Sequence, residues 1–365
     1  MLINNLQLTN FRNLASCTLD VSHKQIILTG ENGQGKTNLL ESLYLLCYGS
    51  SFRTVNLKEA ITYGQDFFYL KSEFEDSQSF FRSTEISFDS DKKTIKVDGK
   101  EIHDRKELIY NLPCIVFSHD DIEFVRGEPE NRRKFFDQTM TMYDPVFFDD
   151  LRRYKLVLRQ RNAALREQKY SLLDVYDEQL AHLGLPLMNA REKVCSSFCK
   201  IFPEIYDRVS LDDRKINISY RPSWSLDMDE NQILQKLADQ RETDMKMSTT
   251  TSGPHRDRFV ITDKNGIFVS GASTGQMRLA SLVFRSAQAE FYRTQTSQNP
   301  IFLVDDVLLE LDSEKRGRYL ACLGNYSQAF FTFLPKEEYF GSVFDIHDND
   351  SKVYTVKEGI FSDET

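Results

Sequence analysis

The pattern of apolar positions predicts buried strands near both ends of the chain and a helical middle. Residues 26–28 (Ile-Ile-Leu) and residues 301–304 (Ile-Phe-Leu-Val) are short apolar runs of the kind found in buried strands. Residues from about 130 to 208 show helical spacing instead. Three prolines are expected to break this helical stretch: Pro145, Pro186 and Pro203. These patterns together predict an α/β fold.

Shorter patterns complete the set of predicted elements. Asp98-Gly99 lies between two β-type runs and predicts a hairpin turn. Residues 216–220 alternate apolar and polar side chains, which predicts a strand, and a helix is predicted near residues 232–246. Residues 264–266 (Lys-Asn-Gly) predict a second hairpin. The sequence has no internal repeat and no heptad run long enough for a coiled coil.

The composition is that of an ordinary globular protein. The 365 residues are 40% hydrophobic and 28% charged, and no run of about 18 apolar residues predicts a membrane span. The first residues lack the basic and apolar regions of a signal peptide, and the scattered cysteines fit reduced thiols. We therefore expect a cytoplasmic protein. The net charge of −9 argues against a generally basic nucleic-acid coat but is compatible with a local basic patch.

A glycine-rich loop between the first apolar run and a predicted helix carries the clearest chemical signal. It matches the G-x-x-x-x-G-K-T pattern, and Gly49 offers a stop for the helix that follows. Such a loop points backbone N–H groups at an anion, and the helix N-terminus adds positive potential. We expect Lys36 to reach the β- and γ-phosphates of ATP and the Thr37 hydroxyl to ligate Mg²⁺. The predicted phosphate-binding residues are Gly30, Glu31, Asn32, Gly33, Gln34, Gly35, Lys36 and Thr37.

Two adjacent carboxylates, Asp305 and Asp306, follow the second apolar run. Adjacent buried acids repel each other and resist desolvation, so a positive charge is needed beside them. A P-loop requires a second Mg²⁺ anchor at the end of a neighbouring strand, and Asp305 fits that role. Asp306 is predicted to orient or activate the attacking water, although a role as a helix or turn cap stays open. Lys36, Asp305 and Asp306 are thus the predicted catalytic residues.

A third motif, Ser273-Thr274-Gly275-Gln276, precedes these acids and begins a helix with an apolar face. Serine or threonine at that point caps a helix, so an ordinary capped helix is the simpler interpretation. Placed after a P-loop and before an Asp-Asp strand, the segment resembles the signature motif of ABC-type ATPases. In that class, the signature of one subunit contacts the γ-phosphate held by another. Ser273, Gly275 and Gln276 are therefore also predicted to bind nucleotide.

Longer blocks of the chain resemble the RecF family of bacterial recombination mediators, which is related to the heads of SMC proteins. The blocks include LTNFRNL, the P-loop with its helix, VFSHDDIEFVRGEPENRRKFFD, YKLVLRQRNAALRE, GPHRDRF and LVDDVLLELD, and they span residues 6 to about 335. The resemblance places Arg12 near the nucleotide. The chain departs from the family pattern at Leu309, Arg258 and His119, where serine, an acid and proline are common. No histidine after the two acids can be assigned firmly as a switch residue. Residues 329–337 contain Thr332 instead.

The resemblance implies an α/β, two-lobed ABC-type (SMC-head-like) P-loop ATPase with a mostly helical second lobe and no long coiled coil. Lobe I is expected at residues 1–112 and 296–365. Lobe II is expected at residues 113–295 and would carry the helical arm and the signature motif.

The helical arm also carries the densest positive charge, in residues 151–170. Leu151, Leu158 and Leu165 repeat every seven residues and are its expected buried stripe. The pattern alone fits a solvated helix face, whereas the family resemblance favours contact with the phosphate backbone of DNA. The candidate DNA-binding residues are Arg152, Arg153, Lys155, Arg159 and Arg161, and a second cluster contains Arg126, Arg132, Arg133 and Lys134.

The resemblance implies an ATP-dependent DNA-binding protein of recombinational repair that recognises gapped DNA or single-strand/duplex junctions. It further implies an ATP-dependent homodimer, a weak DNA-stimulated ATPase activity, and cooperation with RecR and RecO in loading RecA. A metabolic P-loop kinase and the ATPase subunit of a membrane transporter are the alternatives. A kinase would need an acceptor pocket, and a transporter subunit usually has a shorter path from P-loop to signature.

Overall fold

The computed structural model describes residues 1–76, 78–89, 91–335 and 350–363. The strands are, in chain order, β1 Leu2–Thr9, β2 Cys17–Asp20, β3 Gln25–Thr29, β4 Phe67–Glu75, β5 Phe81–Asp89, β6 Lys92–Val97, β7 Lys100–Glu101, β8 Cys114–Phe117, β9 Asn217–Arg221, β10 Arg258–Asp263, β11 Gly266–Ile267, β12 Ile301–Val304, β13 Gln328–Phe333, β14 Ser351–Lys357 and β15 Ile360–Asp363. The helices are α1 Lys36–Tyr48, α2 Lys106–Asn111, α3 Glu123–Arg126, α4 Pro129–Thr141, α5 Pro145–Arg166, α6 Leu173–Ser210, α7 Glu230–Met247, α8 Phe268–Gly271, α9 Thr274–Thr296 and α10 Ser313–Cys322.

The chain divides into two compact units. The first unit comprises Met1–Asp121 and Gln288–Thr365, and the second comprises Ile122–Ala287. The lobe boundaries at residues 112 and 295 stay a prediction. Among the described residues, no helix combines the length and the apolarity that a membrane crossing requires.

The first unit contains two six-stranded sheets with α1 packed against both. One sheet is antiparallel, in the order β2-β1-β4-β5-β6-β7, and the other has the order β15-β14-β3-β13-β12-β8. Helix α1 contacts β4 and β5 of the first sheet and β8 and β13 of the second. Because both sides are covered, α1 buries leucines around its circumference, Leu45 included, and not only along one face.

The second sheet brings the chemically important segments together. Strands β14, β3, β13, β12 and β8 run parallel, with the short β15 antiparallel at the edge. The glycine-rich loop follows β3 and the two acids follow β12, while β13 lies between these strands. Parallel strands end at the same edge of the sheet, so both segments meet there.

The second unit is mostly helical and carries the three-stranded sheet β11-β10-β9. Pro145 lies at the first position of α5, where a missing N–H costs nothing. The expectation that Pro186 and Pro203 break the chain is wrong, because α6 runs through both. Each proline removes one backbone donor, but α6 packs against α5, α7 and β9 along its length. These tertiary contacts offset the lost hydrogen bonds.

The smaller sequence predictions hold. The turn Asp98-Gly99 joins β6 to β7 with positive φ at both residues, and β10 pairs with β11 around Lys264-Asn265. The strand predicted at residues 216–220 is β9, and the helix predicted near residues 232–246 is α7.

Candidate nucleotide-binding site

The glycine-rich loop is shaped for close backbone packing. A Cβ atom on Gly30 would lie 2.4 Å from the carbonyl oxygen of Val356 on β14, so only glycine fits there. Gly35 has φ of 119° immediately before α1, and a Cβ there would lie 2.6 Å from the Leu14 side chain. Gly49 ends α1 in the left-handed conformation, as predicted for the helix stop. Glu31, Asn32 and Gly33 are exposed at the turn of the loop.

Lys36 is buried at the start of α1 and its ammonium group faces the loop. Its Nζ donates to the Gly30 carbonyl at 2.7 Å and to the Glu31 carbonyl at 3.3 Å. The same nitrogen lies 3.6 Å from Oδ2 of Asp306. The amine is therefore held against the glycine-rich loop, and its contact with the terminal phosphates of a nucleotide stays a prediction.

Thr37 and Asp305 meet although 268 positions separate them in the chain. The Thr37 hydroxyl donates to Oδ1 of Asp305 at 2.8 Å. Burial raises the pKa of the Asp305 carboxyl above its ordinary value, and the Thr37 hydrogen bond opposes that rise. A hydroxyl beside a desolvated carboxylate is the oxygen donor set that Mg²⁺ prefers, so these two residues fit the predicted ion.

Asp306 faces the loop and does not cap a helix. Its backbone is left-handed, with φ of 51°, directly before a short 3₁₀ turn, yet its side chain makes no capping hydrogen bond. The Thr332 hydroxyl on β13 lies 2.9 Å from Oδ1 of Asp306 and 3.2 Å from Oδ1 of Asp305, and it accepts the Asp306 backbone N–H at 2.8 Å. One hydroxyl thus bridges both acids.

Arg12 is oriented by a fully buried carboxylate, Glu41 of α1. The guanidinium donates to both Glu41 oxygens, at 3.0 and 2.7 Å, and to the Glu59 carbonyl at 2.6 Å. Arg53 also reaches Glu41, at 3.3 Å. Sequence reasoning missed Glu41, although a single acid among the leucines of a buried helix was a signal for it.

A cleft of about 570 Å³ lies beside these groups within the first unit. Its lining residues are Arg12, Asn13, Glu31, Asn32, Gly33, Gly35, Lys36, Thr37, Asn38, Arg53, Glu59, Ile61, Tyr63 and Asp306. The phosphate-binding loop forms one part of the wall, and Glu59, Ile61 and Tyr63 also line it. The volume is in the range typical of small-ligand sites.

The hairpin β14–β15 supports the loop from the side. Gly359 at its turn donates its N–H to the Gln34 carbonyl at 2.9 Å, and the Glu358 N–H donates to the Gln34 side-chain oxygen at 2.6 Å. Gly359 has φ of 77°, and a Cβ there would lie 1.9 Å from the Asn13 carbonyl oxygen. Gln34 therefore contacts the protein and does not line the cleft.

The predicted signature segment begins α9 with reciprocal capping hydrogen bonds. The Gln276 N–H donates to the Ser273 hydroxyl at 3.3 Å, and the Ser273 N–H donates to the Gln276 side chain at 2.9 Å. Ser273 and Gly275 are exposed, and Gln276 also donates to Asp212 at 3.3 Å. The capped-helix interpretation therefore describes the local geometry, and nucleotide contact by this segment stays a prediction.

The basic helix α5 divides its charged residues between two faces. Arg152, Arg153, Lys155 and Arg159 are exposed. Arg161 is fully buried and donates to Asp177 at 2.6 Å and to Asp244 at 2.7 Å. The structure thus corrects the prediction for Arg161, because a buried guanidinium held by two carboxylates cannot reach a DNA phosphate.

The second basic cluster is occupied by contacts within the chain. Arg132 donates to the carbonyls of Val125, Gly127 and Phe259, and burial lowers its pKa. Arg133 donates to the Asp257 carbonyl at 2.7 Å. Arg126 and Lys134 form ion pairs with Glu123 and Glu130. Arg132 and Arg133 are therefore weaker DNA candidates than the exposed residues of α5, whereas Arg126 and Lys134 form surface ion pairs of the same kind as Arg152 with Asp149.

Comparison with known proteins identifies the family. The model of the RecF/RecN/SMC N terminal domain matches residues 2–360. A relative from Treponema pallidum (strain Nichols), named DNA replication and repair protein RecF, is 41% identical over 353 residues, covering 96% of this chain and 98% of the relative. A relative of the same name from Clostridium botulinum (strain Okra / Type B1) is 33% identical, covering 87% and 88%.

Comparison with solved structures supports the same family. The recombination mediator protein RecF-ATP in the RecFOR pathway superposes with a TM-score of 0.89 at 26% identity, covering 100% of this chain and 98% of that one. An Smc head bound to the C-terminal winged-helix domain of ScpA gives a TM-score of 0.60 at 15% identity, covering 100% and 97%, which shows the fold alone. The predicted ABC-type, SMC-head-like α/β fold is confirmed, and the chain belongs to the RecF family.

Proposed function

We propose that this protein is an ATP-dependent DNA-binding protein of recombinational repair and replication-fork recovery. The observation that carries the proposal is the meeting of Thr37 with Asp305 beside the glycine-rich loop, 2.8 Å apart. Family membership and the similarity to the RecF-ATP structure support it further. Among the residues that the structure describes, no comparable feature favours a metabolic kinase or a transporter subunit.

In the proposed reaction, the loop N–H groups and Lys36 hold the triphosphate of ATP, and Asp306 orients the attacking water. Thr37 and Asp305 would hold Mg²⁺, which supplies charge neutralisation at the β- and γ-phosphates when bound. Asp306 suits the water because its carboxylate lines the cleft and is fixed by Thr332. The products are ADP and phosphate.

Replacing each of the two aspartates by asparagine tests this division of roles. Asp305→Asn should weaken Mg²⁺-dependent ATP binding, because an amide is a poorer cation ligand. Asp306→Asn should bind ATP with nearly normal affinity and hydrolyse it slowly, so that an ATP-bound dimer accumulates. Hydrolysis at the wild-type rate by Asp306→Asn would show that the carboxylate does not orient the water.

The proposed dimer uses the exposed N-terminus of α9. A helix N-terminus attracts anions, so Ser273 and Gly275 of one copy would contact the γ-phosphate held by the other. A two-fold dimer would then contain two composite sites, with ATP as the link between the copies. Ser273→Arg should bind ATP but remain monomeric and inactive.

Mixing variants tests the shared site directly. A heterodimer of Ser273→Arg with Lys36→Met retains one intact composite site, made from the loop of the first chain and the signature of the second. Part of the ATPase rate should therefore return in the mixture, with mass followed by light scattering. Dimerisation of Ser273→Arg alone, or no rescue within a formed heterodimer, would contradict shared sites.

The proposed DNA surface is the exposed face of α5, with Arg152, Arg153, Lys155 and Arg159. These side chains would contact phosphates without reading bases, because no base-recognition element accompanies them in the described part of the chain. Glutamate at Arg152, Arg153 and Arg159 together should weaken binding to a single-strand/duplex junction and flatten its salt dependence. A matched control reverses three exposed bases on α6: Lys193, Lys200 and Arg208. An equal loss in both triple variants would indicate a general charge effect.

One assay tests the whole proposal. The ATPase rate is measured against protein concentration, with and without gapped DNA. A rate per molecule that rises with concentration and again with DNA is expected for a weak, DNA-stimulated, dimerising ATPase. A rate independent of both would contradict the proposal.

We further propose that the protein acts in the cytoplasm, in the response to DNA damage, with RecR and RecO as partners in loading RecA. The RecFOR pathway assigned to the similar solved structure supports these partners. Loading of RecA on gapped DNA coated with single-strand-binding protein, with each component omitted in turn, is the test.

A further inference from the structure

Two cysteines of the second unit lie on one face of the long helix α6. Cys195 and Cys199 are four residues apart, so their side chains are neighbours on the helix surface. Cys195 is buried, at 3% of its reference area, whereas Cys199 is half-buried. The pair therefore joins one thiol that a small solute can reach to one that is shielded from water.

Both thiols point at the same backbone carbonyl. The Cys195 Sγ donates to the Ile218 oxygen of β9 at 3.7 Å, and the Cys199 Sγ donates to the same oxygen from a shorter distance. A common acceptor brings the two sulfur atoms together, and the thiols also hydrogen-bond each other. In this arrangement the S–H of one cysteine stabilises the other sulfur as a thiolate.

The contacts of the pair favour the thiolate on the more accessible sulfur. The hydrogen bond with Cys195 lowers the pKa of Cys199 to about 7, below its ordinary value, although burial and the charge of Glu192 oppose this. The same hydrogen bond and burial raise the pKa of Cys195. At neutral pH, Cys199 is thus the nucleophile of the pair, and Cys195 keeps its proton.

The helix is loosened where the two sulfur atoms would have to approach. Cβ atoms four residues apart in a helix are separated by about 5–6 Å, whereas a disulfide needs about 3.5–4.5 Å. Pro203 lies inside α6, and it has no backbone N–H to donate to the Cys199 carbonyl four residues before it. The backbone at Cys199 therefore lacks the helical hydrogen bond that would otherwise resist this movement.

We infer that Cys199 is a site of oxidation by hydroperoxides and that Cys195 resolves the oxidised sulfur to a reversible disulfide within α6. The inference lies outside the proposed ATP and DNA sites and does not depend on them. A disulfide has no S–H, so the Ile218 carbonyl of β9 loses both sulfur donors when the pair is oxidised. Oxidation therefore weakens the contact between α6 and β9.

The reaction balances with one molecule of hydrogen peroxide. The Cys199 thiolate attacks a peroxide oxygen and the O–O bond breaks. The hydroxide that leaves takes up the proton that the thiol released, which gives water and a sulfenic acid. The Cys195 sulfur then attacks the Cys199 sulfur, the S–O bond breaks, and the departing hydroxide takes the Cys195 proton as water. Two thiols and one peroxide thus yield one disulfide and two waters, with two electrons passing from sulfur to peroxide.

The sequence allows the disulfide to be detected within a single tryptic peptide. Residues 194–200 follow Lys193 and end at Lys200, so this peptide contains both cysteines. The full-length protein is treated with hydrogen peroxide at pH 7, free thiols are alkylated, and the digest is measured by mass spectrometry. The peptide should lose two hydrogen atoms and escape alkylation. Dithiothreitol added before alkylation should reverse both changes.

Two serine variants separate the roles of the thiols. Cys195→Ser keeps the reactive sulfur but lacks the resolving one, so dimedone should label its Cys199 sulfenic acid at least about 5-fold more than in the wild type. Cys199→Ser should form no disulfide and should give no dimedone label on Cys195. The matched control thiol is Cys17, which is also half-buried but whose pKa is raised by burial. Cys199 should be oxidised roughly 10-fold faster than Cys17.

Three results would overturn the inference. They are an unchanged mass of the 194–200 peptide in the oxidised wild type, oxidation of Cys17 as fast as that of Cys199, and equal dimedone labelling of the wild type and Cys195→Ser. The first two are measured on the wild-type protein, so they test the inference even where a serine variant fails to fold.

Discussion

The two units treat buried charge in different ways. In the second unit, Arg191 is buried between Asp137, at 2.9 Å, and Asp257, at 2.8 Å, and Arg161 is likewise held between two aspartates. In the first unit, Lys36, Asp305 and Asp306 lie beside an open cleft, and the lysine amine is 3.6 Å from its nearest carboxylate. Each of these clusters has one cation and two carboxylates, but both arginines hydrogen-bond both of their aspartates in the interior, whereas the lysine lies beside a cleft with room for a triphosphate and a cation. Burial of a charge therefore indicates a functional site here only where the charged groups also face an open cleft.

The largest effect in this comparison is expected from a change of Arg191. Arg191→Met should lower the free energy of unfolding of the second unit by about 3–5 kcal/mol, because two buried carboxylates lose their cation. Urea unfolding followed by Trp224 fluorescence measures this, since Trp224 is the single tryptophan and is buried in the second unit. Exposed Arg152→Met is the control, with an expected change within about 0.5 kcal/mol. A loss below about 1 kcal/mol in Arg191→Met would remove the distinction drawn here.

The matching change in the first unit should affect the ligand and spare the fold. Lys36→Met should weaken ATP binding about 100-fold or more, because the charged contact to the terminal phosphates is lost. Its urea unfolding followed by far-UV circular dichroism, which reports on both units, should match that of the wild type. Fluorescent ATP titration measures the first quantity, and wild-type affinity in the variant would contradict the assignment.

A third prediction uses pH to test the closed character of the second unit. His255 is half-buried, and desolvation lowers its pKa to about 4, below the ordinary value near 6.5. Its Nε2 faces the Thr250 carbonyl at 3.0 Å and its Nδ1 faces the Tyr154 hydroxyl at 2.8 Å, which suits a neutral ring. The unfolded chain therefore binds the extra proton first, and stability should fall by about 2 kcal/mol from pH 7.5 to pH 5.

The quantity to compare is the change in stability between the two pH values, because the absolute stability of a variant can change for other reasons. His255→Asn lacks the titrating ring, so its Trp224 unfolding midpoints at the two pH values should lie closer together than those of the wild type. An identical slope in both proteins would assign the acid sensitivity to other groups.

The smallest effect is expected from Thr332, which lies beside the two acids of the first unit. Thr332→Val keeps the shape of the side chain and removes the hydroxyl that bridges Asp305 and Asp306. Hydrolysis should slow about 10-fold while ATP affinity stays within about 2-fold, because the residue positions the acids and does not contact phosphate. Thr84→Val, at another buried threonine of the first unit, should leave both quantities unchanged. Equal losses in rate and affinity would point to a general disturbance of the site.

Local sequence was sufficient for the parts of the site that lie on one strand–loop–helix segment. The glycine-rich loop, its helix and the strand before Asp305 were predicted correctly, since each is encoded within a few turns of chain. Thr332 and Glu41 were not assigned roles, because the first depends on the pairing of β13 with β12 and the second on α1 being covered on both sides. Such information lies in contacts between distant segments.

The error at Arg161 has a similar physical origin. The seven-residue repeat of leucines predicted one buried stripe on α5, but Leu158 is only half-buried. The buried set contains Tyr154, Val157 and Arg161 beside the other two leucines, at spacings of three and four. Arg161 lies on the inner face because of helical geometry, and the aspartates that make its burial tolerable come from α6 and α7. Counting charges along the helix could not reveal those partners.

The hairpin β14–β15 sets the time at which the phosphate loop can be completed during synthesis. Its turn holds Gln34 through a contact that spans 324 positions of the chain. At ribosomal rates of about 5–20 residues per second, the loop leaves the ribosome tens of seconds before the segment that supports it. The loop would spend that interval without its neighbouring strand β14. A message truncated before codon 350 would then yield a chain that carries the complete G-x-x-x-x-G-K-T sequence but lacks the support that shapes it.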